Sequence, residues 1–199
     1  MEAAPTTSLR AQGVADQGPM LLIAMPTLTD PTFAHTVILI VETGPQGAYG
    51  VVITRPAPVD LGTLLDGAGI PRTMAHPSRT VWLGGPVQPQ SGLVLFVAEP
   101  DLPAYEPQAD VMPGLRVSSS MDLLRDVAHG AGPRKFALFL GRASWTAGQL
   151  EAELAAGVWI PAEPDVALLF QDEQDGIWHQ ALRGIGADPA IIAATPAQA

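Results

Sequence analysis

The centre of the predicted fold is the stretch Thr36-Val-Ile-Leu-Ile-Val-Glu-Thr-Gly-Pro-Gln-Gly-Ala-Tyr-Gly-Val-Val-Ile-Thr54. Aliphatic and β-branched residues dominate its two ends, a composition typical of buried strands. Gly44-Pro-Gln-Gly47 lies between them and has the residue types that tight turns require. Two such runs joined by a short Gly/Pro link predict an antiparallel hairpin, with strands over Thr36 to Val41 and Tyr49 to Thr54.

The flanking sequence predicts further strands and a short helix. The apolar run Met20 to Met25 predicts a buried strand, and Asp60 has the residue type of an N-cap for a helix over Leu61 to Leu65. Thr80 to Leu83 and Gly92 to Val97 predict a second strand pair around Gly84-Gly-Pro-Val-Gln-Pro89. Residues 99–113 are acidic and punctuated by Pro, which predicts a long exposed loop.

Helical patterns accumulate in the second half of the chain. A short strand is predicted at Leu115 to Val117, and a helix over Met121 to Ala128 is predicted between Ser120 and Gly130. A strand over Lys135 to Leu140 precedes Thr146-Ala-Gly-Gln149, which fits a capping box with Thr146 as N-cap. The end of the chain predicts a strand at Val158 to Ile160 and short helices from Asp165 and Ile177. Early strand pairs followed by helices indicate a single α+β domain.

Composition limits the classes of function. The 199 residues include no Cys, which excludes disulfides, thiol nucleophiles and Cys-based metal sites. Twenty acidic and ten basic residues give a formal net charge of −10, and the tightest basic group is only Arg134-Lys135 with Arg142. The charge therefore argues against direct nucleic-acid binding and against docking on an anionic membrane.

The order along the chain suggests domain boundaries and a compartment. Residues 1–17 lack the apolar segment of a signal peptide and are expected to form a disordered leader. Residues 18–194 are expected to form the domain, and residues 195–199 a frayed tail. No apolar run approaches the roughly 20 residues of a membrane helix, so the expected location is the cytoplasm.

A search for catalytic motifs yields little. The four His residues have no acidic or His neighbour at metal-ligand spacing, so no metal site and no cofactor is expected. Gly141-Arg-Ala-Ser-Trp145 follows a strand and precedes a helix, but it is not the Gly-x-Ser-x-Gly pattern of a nucleophile elbow. No catalytic residue is predicted from these motifs.

The start of the helix after Trp145 is the strongest candidate for a binding surface. It gathers an aromatic ring, the Thr146 hydroxyl, the Gln149 amide and free backbone N–H groups, and helix N-termini accept anions. The alternative interpretation is a capped core helix with Trp145 packed beneath it. The candidate ligand-binding residues are Asp30, Gly84, Gly85, Trp145 and Gln149, where the two glycines alternatively form a turn that needs positive φ.

Four motifs in order resemble the AlgH/YqgE-like bacterial proteins over about residues 19–185. They are Leu21-Leu-Ile-Ala-Met-Pro-x-Leu-x-Asp-Pro-x-Phe33, Gly47-Ala-Tyr-Gly-Val-Val-Ile-Thr-Arg-Pro56, Val81-Trp-Leu-Gly-Gly-Pro-Val-Gln-Pro89 and Trp145-x-x-Gly-Gln-Leu-Glu-x-Glu153 with Trp159. The resemblance implies a single compact α+β domain with a small, mostly antiparallel, β-barrel-like sheet surrounded by helices. The family is largely uncharacterised; some members are labelled transcriptional regulators from the genetics of alginate production, not from a DNA-binding mechanism.

Three functions follow as hypotheses. The first is a non-enzymatic regulatory domain that binds a protein or a small anionic metabolite and affects transcription indirectly. The second is a hydrolase-type enzyme that uses carboxylates, with Asp30 or a Glu of the pair Glu151 and Glu153. The third, a direct DNA-binding regulator, is disfavoured by the net charge and by the absence of a basic stripe.

Overall fold

The hairpin predicted from the opening stretch forms the centre of the sheet. In the computed structural model, residues 18–73, 79–171 and 176–187 are described. Strands β2 (Val37–Gly44) and β3 (Gly47–Val52) pair antiparallel and meet at the Gly44–Gly47 turn. The register shifts between Ile40 and Glu42, so Val41 is an extra residue in β2 and the strand is bulged there.

The remaining described elements alternate strands with short helices. The other strands are β1 (Leu21–Ala24), β4 (Pro56–Asp60), β5 (Thr80–Leu83), β6 (Val87–Val97), β7 (Gln108–Met112), β8 (Leu115–Ser118), β9 (Phe136–Thr146) and β10 (Trp159–Ala162). The helices are α1 (Leu61–Gly67), α2 (Met121–His129), α3 (Gln149–Ala155), α4 (Val166–Leu169) and α5 (Ile177–Gly184).

Strand β9 connects the whole sheet. The strand order is β10-β1-β2-β3-β9-β6-β8-β7, with β4 and β5 branching from β9. Every described pairing is antiparallel except that of β5 with β9, which is parallel. The expected class is confirmed: the chain is an α+β domain whose curled, mostly antiparallel sheet forms a half-barrel that carries five helices in the described residues.

Three apolar clusters fill the two faces of the curled sheet. The first includes Leu39, Phe139 and Trp178 and packs α5 against β1 and β2. The second includes Ile38, Trp145 and Trp159 beside α3. A third, with Phe96 and Leu123, lies under α2 and α1. Alternate residues of β2 face opposite clusters, as the period of two requires of a strand covered on both sides.

Local signals for the helices are confirmed by their caps. Asp60 Oδ1 accepts a hydrogen bond from the Thr63 N–H at 2.8 Å, and Ser120 Oγ accepts from the Asp122 N–H at 3.2 Å. Gly130 ends α2 in the left-handed region at φ 74°. Helix α4 begins after Asp165, whose carboxylate accepts from the Ala167 N–H.

Two expectations about the middle of the chain are wrong. Strands β5 and β6 do not pair; β5 lies between β4 and β9, and β6 lies between β9 and β8. Residues 99–113 are not only an exposed loop, because they contain β7 and the buried side chain of Tyr105. Tyr105 is held there by a hydrogen bond from its hydroxyl to Asp126 at 2.9 Å.

The predicted leader and tail fall outside the described residues. Within the described residues, none of the helices has both the length and the apolar character that crossing a membrane demands.

Candidate functional site

The predicted residues Trp145 and Gln149 meet around one carboxylate, that of Glu153. Its Oε2 accepts the indole N–H of Trp145 at 2.9 Å and that of Trp159 at 2.7 Å. Its Oε1 accepts the side-chain amide of Gln149 at 2.9 Å. The two indoles are edge-to-face, with centroids 6.2 Å apart. This tryptophan–glutamate cluster ties β9, α3 and β10 together.

The capping box predicted at this helix is wrong in register. The residue before α3 is Gly148, in the left-handed region, and it makes no side-chain capping bond. Strand β9 runs on to Thr146, so this residue belongs to the strand. Gln149 Oε1 nevertheless accepts the Thr146 N–H at 3.1 Å and its hydroxyl at 3.2 Å. The helix is seven residues long, and the Gln149 amide is engaged with Thr146 and Glu153.

Gly84 and Gly85 lie where the chain between β5 and β6 crosses β9. A Cβ at Gly84 would stand 2.3 Å from the Gly141 carbonyl oxygen, and one at Gly85 would stand 2.2 Å from the Arg142 carbonyl carbon. Gly85 has φ 149°, which agrees with the expectation of a turn that needs positive φ. These glycines permit close backbone contact with β9.

Asp30 organises its own turn. Its Oδ1 accepts from the Thr32 N–H at 2.8 Å and from the Phe33 N–H at 3.2 Å. Arg55 holds the same turn through the carbonyls of Pro31 and Ala34.

The structure therefore joins Trp145 to Gln149 and places both glycines against β9, while the carboxylate bonds given for Asp30 stay within its turn. A shared ligand for the five residues remains a prediction.

A polar patch that sequence reasoning missed lies on the sheet beside β9. Cross-strand pairing places Glu42 opposite Tyr49, and Tyr49 opposite Ser144. Opposed side chains point to the same face, and Arg142 lies two residues before Ser144 on that face. The Arg142 guanidinium carbon stands 5.1 Å from the centre of the Tyr49 ring.

Two grooves open on either side of the Tyr49–Arg142 pair. The bulge groove has a volume of about 240 Å³ and is bordered by Gln88, Ser91, Ser119 and the pair itself. It exists because residues 88–91 of β6 stand against Gly141 alone, between the pairs Val87–Arg142 and Gly92–Leu140.

The turn groove, of about 290 Å³, lies on the other side of the pair. It is bordered by the Gly44–Gly47 turn, Glu42, Ser144 and the same Tyr49 and Arg142. Both grooves therefore share one aromatic ring and one cation.

The polar groups in these grooves are unusual in two respects. The Nε of Arg142 is buried and has no hydrogen-bond partner in the described part of the chain. Gln88, which borders the bulge groove, has a backbone φ of 52°, in a region that residues other than Gly seldom adopt. An unpartnered buried donor and local backbone strain both concentrate at functional sites.

The electrostatics of Tyr49 reflect its two charged neighbours. Burial raises the pKa of Tyr49 above its usual value, the Glu42 carboxylate raises it further, and the Arg142 guanidinium opposes both effects. Tyr49 is therefore a neutral hydrogen-bonding group at physiological pH.

One sequence signal pointed toward this patch. Arg142 and Ser144 are alternating polar positions at the end of an otherwise apolar strand, the pattern of one exposed face. Glu42 carried no such signal, because the bulge at Val41 decides which residue faces Tyr49. Among the described residues no group of three His, Cys, Asp or Glu is arranged to hold a metal ion.

Comparison with known families places the whole domain. The AlgH-like family profile matches residues 21–190. A UPF0301 protein of Ralstonia nicotianae is 40% identical over 173 residues, which is 86% of this chain and 89% of that protein. A UPF0301 protein of Ruegeria pomeroyi is 37% identical over 180 residues, 90% of this chain and 97% of that one.

Solved structures are similar in fold. The solution structure of the AlgH protein from Pseudomonas aeruginosa superposes with a TM-score of 0.72 at 33% identity and covers 100% of both chains. A crystal structure of protein DIP2367 from Corynebacterium diphtheriae gives a TM-score of 0.66 at 21% identity, over 88% of this chain and 91% of that one. The second similarity concerns the fold alone.

Proposed function

This chain belongs to the AlgH-like family of bacterial proteins, and from that premise we propose that it is a non-enzymatic regulatory domain that binds a small anionic ligand at Arg142. In this proposal any effect on transcription is indirect. The observation that carries it is the Arg142 guanidinium, which borders two grooves and has no carboxylate partner in the described residues.

The chemistry of arginine supports an anion as the ligand. A guanidinium presents its N–H groups in a planar fork that matches carboxylate and phosphate oxygens. An anion in either groove would meet the guanidinium that borders it, and a hydrogen bond to a charged group contributes about 1.5–3 kcal/mol. The surrounding Ser91, Ser119 and Ser144 hydroxyls supply further donors within the same grooves.

The rest of the charge distribution makes Arg142 distinctive. Four other arginines, Arg72, Arg116, Arg125 and Arg134, are each paired with a carboxylate in the described residues. Arg142 has the ring of Tyr49 beside it instead. Arg55 and Arg79 also lack a carboxylate partner in the described residues, but they donate to backbone carbonyls, whereas Arg142 borders both grooves. On a chain with net charge −10, Arg142 is therefore a suitable place for an anion to meet a cation.

The carboxylates considered for a hydrolase are engaged elsewhere. Glu153 accepts from three side-chain donors, and Asp30 accepts from two backbone N–H groups. Glu151 is exposed on α3 and lies two residues from Glu153, on a different side of the helix. A binding role therefore accounts for the geometry better than acid–base catalysis by these groups.

Thermal unfolding of the purified chain with carboxylates and inorganic phosphate tests the proposal. A ligand at a hundred times its dissociation constant adds about 2.7 kcal/mol, which raises Tm by roughly 5–10 °C at this size. The substitution Arg142→Gln should abolish the shift. Arg134→Gln removes the same charge from a side chain that is 90% exposed and should leave it intact.

Two results would count against this function. Equal shifts in wild type and Arg142→Gln would place the ligand elsewhere. No shift with any probe would leave a protein as the partner to seek, and the small-ligand proposal would be abandoned.

A further inference from the structure

The polar patch beside β9 carries both signs of charge. Glu42, Tyr49 and Ser144 form one row across β2, β3 and β9, and Arg142 stands diagonally from Tyr49. Adjacent strands are about 4.8 Å apart, so the backbones of Glu42 and Arg142 are separated by two such steps plus the diagonal offset. Their long side chains reach toward the Tyr49 ring between them.

The carboxylate and the guanidinium do not neutralise each other directly. No ion pair joins Glu42 to Arg142 in the described residues, although the chain pairs other arginines with acids in its surface. Glu42 is exposed, and the turn groove of about 290 Å³ is bordered by both charges. A ligand in this groove therefore meets an anion at one end and a cation at the other.

The β2 bulge creates this arrangement. In a regular register without the bulge, Val41 would stand opposite Tyr49 and Glu42 opposite Ala48, on the other side of the sheet. Val41 is instead packed with the first apolar cluster, and Glu42 faces Tyr49. Bulges commonly re-aim side chains at functional sites.

We infer that the turn groove binds a small zwitterion of the amino-acid type, with its carboxylate on Arg142 and its ammonium group on Glu42. This inference rests on the proposed anion site and names its ligand class. Tyr49 and Ser144 border the same groove, where the Tyr49 hydroxyl is hydrogen-bonded to Glu42 and the Ser144 hydroxyl is a further polar group for the ligand. The volume suits a molecule of this size and excludes a folded partner.

Matched pairs of probes test the inference. Glycine, β-alanine and 4-aminobutyrate differ from acetate, propionate and butyrate by the ammonium group alone. Calorimetric titration of the full chain should show at least one zwitterion binding about tenfold or more tightly than its matched carboxylate. Glu42→Gln should remove that preference and leave carboxylate binding unchanged. Glu151→Gln, an exposed charge-matched control, should preserve it.

The possible failures are distinguishable. If carboxylates bind in an Arg142-dependent manner but Glu42→Gln leaves the zwitterion preference intact, or no preference exists, the ligand class is wrong and the anion site stands. If none of the six probes binds, the zwitterion inference fails, and both proposals fail if inorganic phosphate gives no thermal shift either. Unchanged far-ultraviolet circular dichroism of Glu42→Gln ensures that a lost preference reports the carboxylate and not unfolding.

Discussion

The side chain of Glu153 accepts hydrogen bonds from three donors on two strands and its own helix. A carboxylate is suited to this because it offers several acceptor sites and no competing donor. At residue scale, then, the motif Trp145-x-x-Gly-Gln-Leu-Glu-x-Glu153 describes a structural junction in which Trp145 and Gln149 are partners of Glu153. The binding chemistry proposed for the domain belongs to Arg142, two positions from Ser144 on the opposite face of β9 from Trp145.

Replacing Glu153 with Gln should destabilise the domain. The amide retains one acceptor oxygen and adds two donors. Either the Gln149 amide or both indole N–H groups therefore lose their acceptor, at a cost of about 1–3 kcal/mol. Glu151→Gln, exposed on the same helix, should change the unfolding free energy by less than about 0.5 kcal/mol. Urea unfolding followed by tryptophan fluorescence measures both, and equal stability of the two variants would contradict the junction role.

Tyr105 makes the free energy of unfolding depend on pH in the alkaline range. Burial first, and then the hydrogen bond to Asp126, raise the pKa of Tyr105 to about 12 from 10.0. The folded state therefore holds this proton more tightly than the unfolded state. The resulting stabilisation is fully present below pH 10 and is lost as pH rises from 10 toward 12.

Between pH 10 and 12, the free energy of unfolding should fall more steeply with pH in wild type than in Tyr105→Phe. The chain has only two Tyr residues, so the phenolate absorbance that remains in the variant belongs to Tyr49. Parallel pH curves for the two proteins would argue that Tyr105 titrates normally.

At the scale of elements, β9 sets the arrangement of its neighbours. It pairs with β3, β6 and β5 and is crossed by the glycine turn between β5 and β6. The crossing is close because Gly84, Gly85 and Gly141 lack side chains where the backbones meet. The bulges in β2 and β6 then open the two grooves on either side of the Tyr49–Arg142 pair.

Gly84→Ala should be strongly destabilising. Its φ is not in the left-handed region, so the penalty comes from the close backbone contact alone, where a Cβ would lie 2.3 Å from the Gly141 oxygen. We expect a loss of about 1–3 kcal/mol or more, because backbone must move to make room. Gly67→Ala in α1 is the matched control, because no atom lies within 4 Å of a Cβ built there. It should raise the unfolding free energy by about 0.4–1 kcal/mol. Chemical denaturation measures the unfolding free energy of both variants. An unchanged value for Gly84→Ala would contradict the close backbone contact at this crossing.

At the scale of the whole molecule, charge is distributed against nucleic-acid binding. Twenty acidic residues outnumber ten basic ones, and four arginines pair with nearby carboxylates in the described residues. DNA affinity requires Lys and Arg side chains that replace the counterions of phosphates. Arg142 is one cation beside two grooves and does not form the row of basic side chains that a duplex requires.

Duplex DNA should therefore give no gel shift with this protein at roughly 150 mM salt, and no salt-sensitive binding as the concentration falls toward about 50 mM. A labelled random duplex and sheared genomic DNA are suitable probes. A gel shift that weakens steeply as salt increases would support the direct DNA-binding hypothesis and would indicate a basic surface that contacts phosphates.

The sequence alone determined the local features. The β2–β3 hairpin, the caps at Asp60, Ser120 and Asp165, and the positive φ at Gly85 were predictable because each depends on residues close together in the chain. The resemblance carried by the four motifs also predicted the α+β class and a barrel-like, mostly antiparallel sheet. Trp145 and Gln149 were identified as neighbours, although the register of the capping box was wrong.

Local sequence does not predict which strands pair or which side chains share a surface, because both depend on the packing of the whole sheet. Strand β5 pairs with β9 across more than fifty residues, and that choice depends on burial over the whole sheet, which no local pattern encodes. Glu42, Tyr49 and Arg142 converge because a bulge of one residue sets the register of β2. A shift of one residue turns every following side chain to the other face, so the site depends on the complete pairing of the sheet.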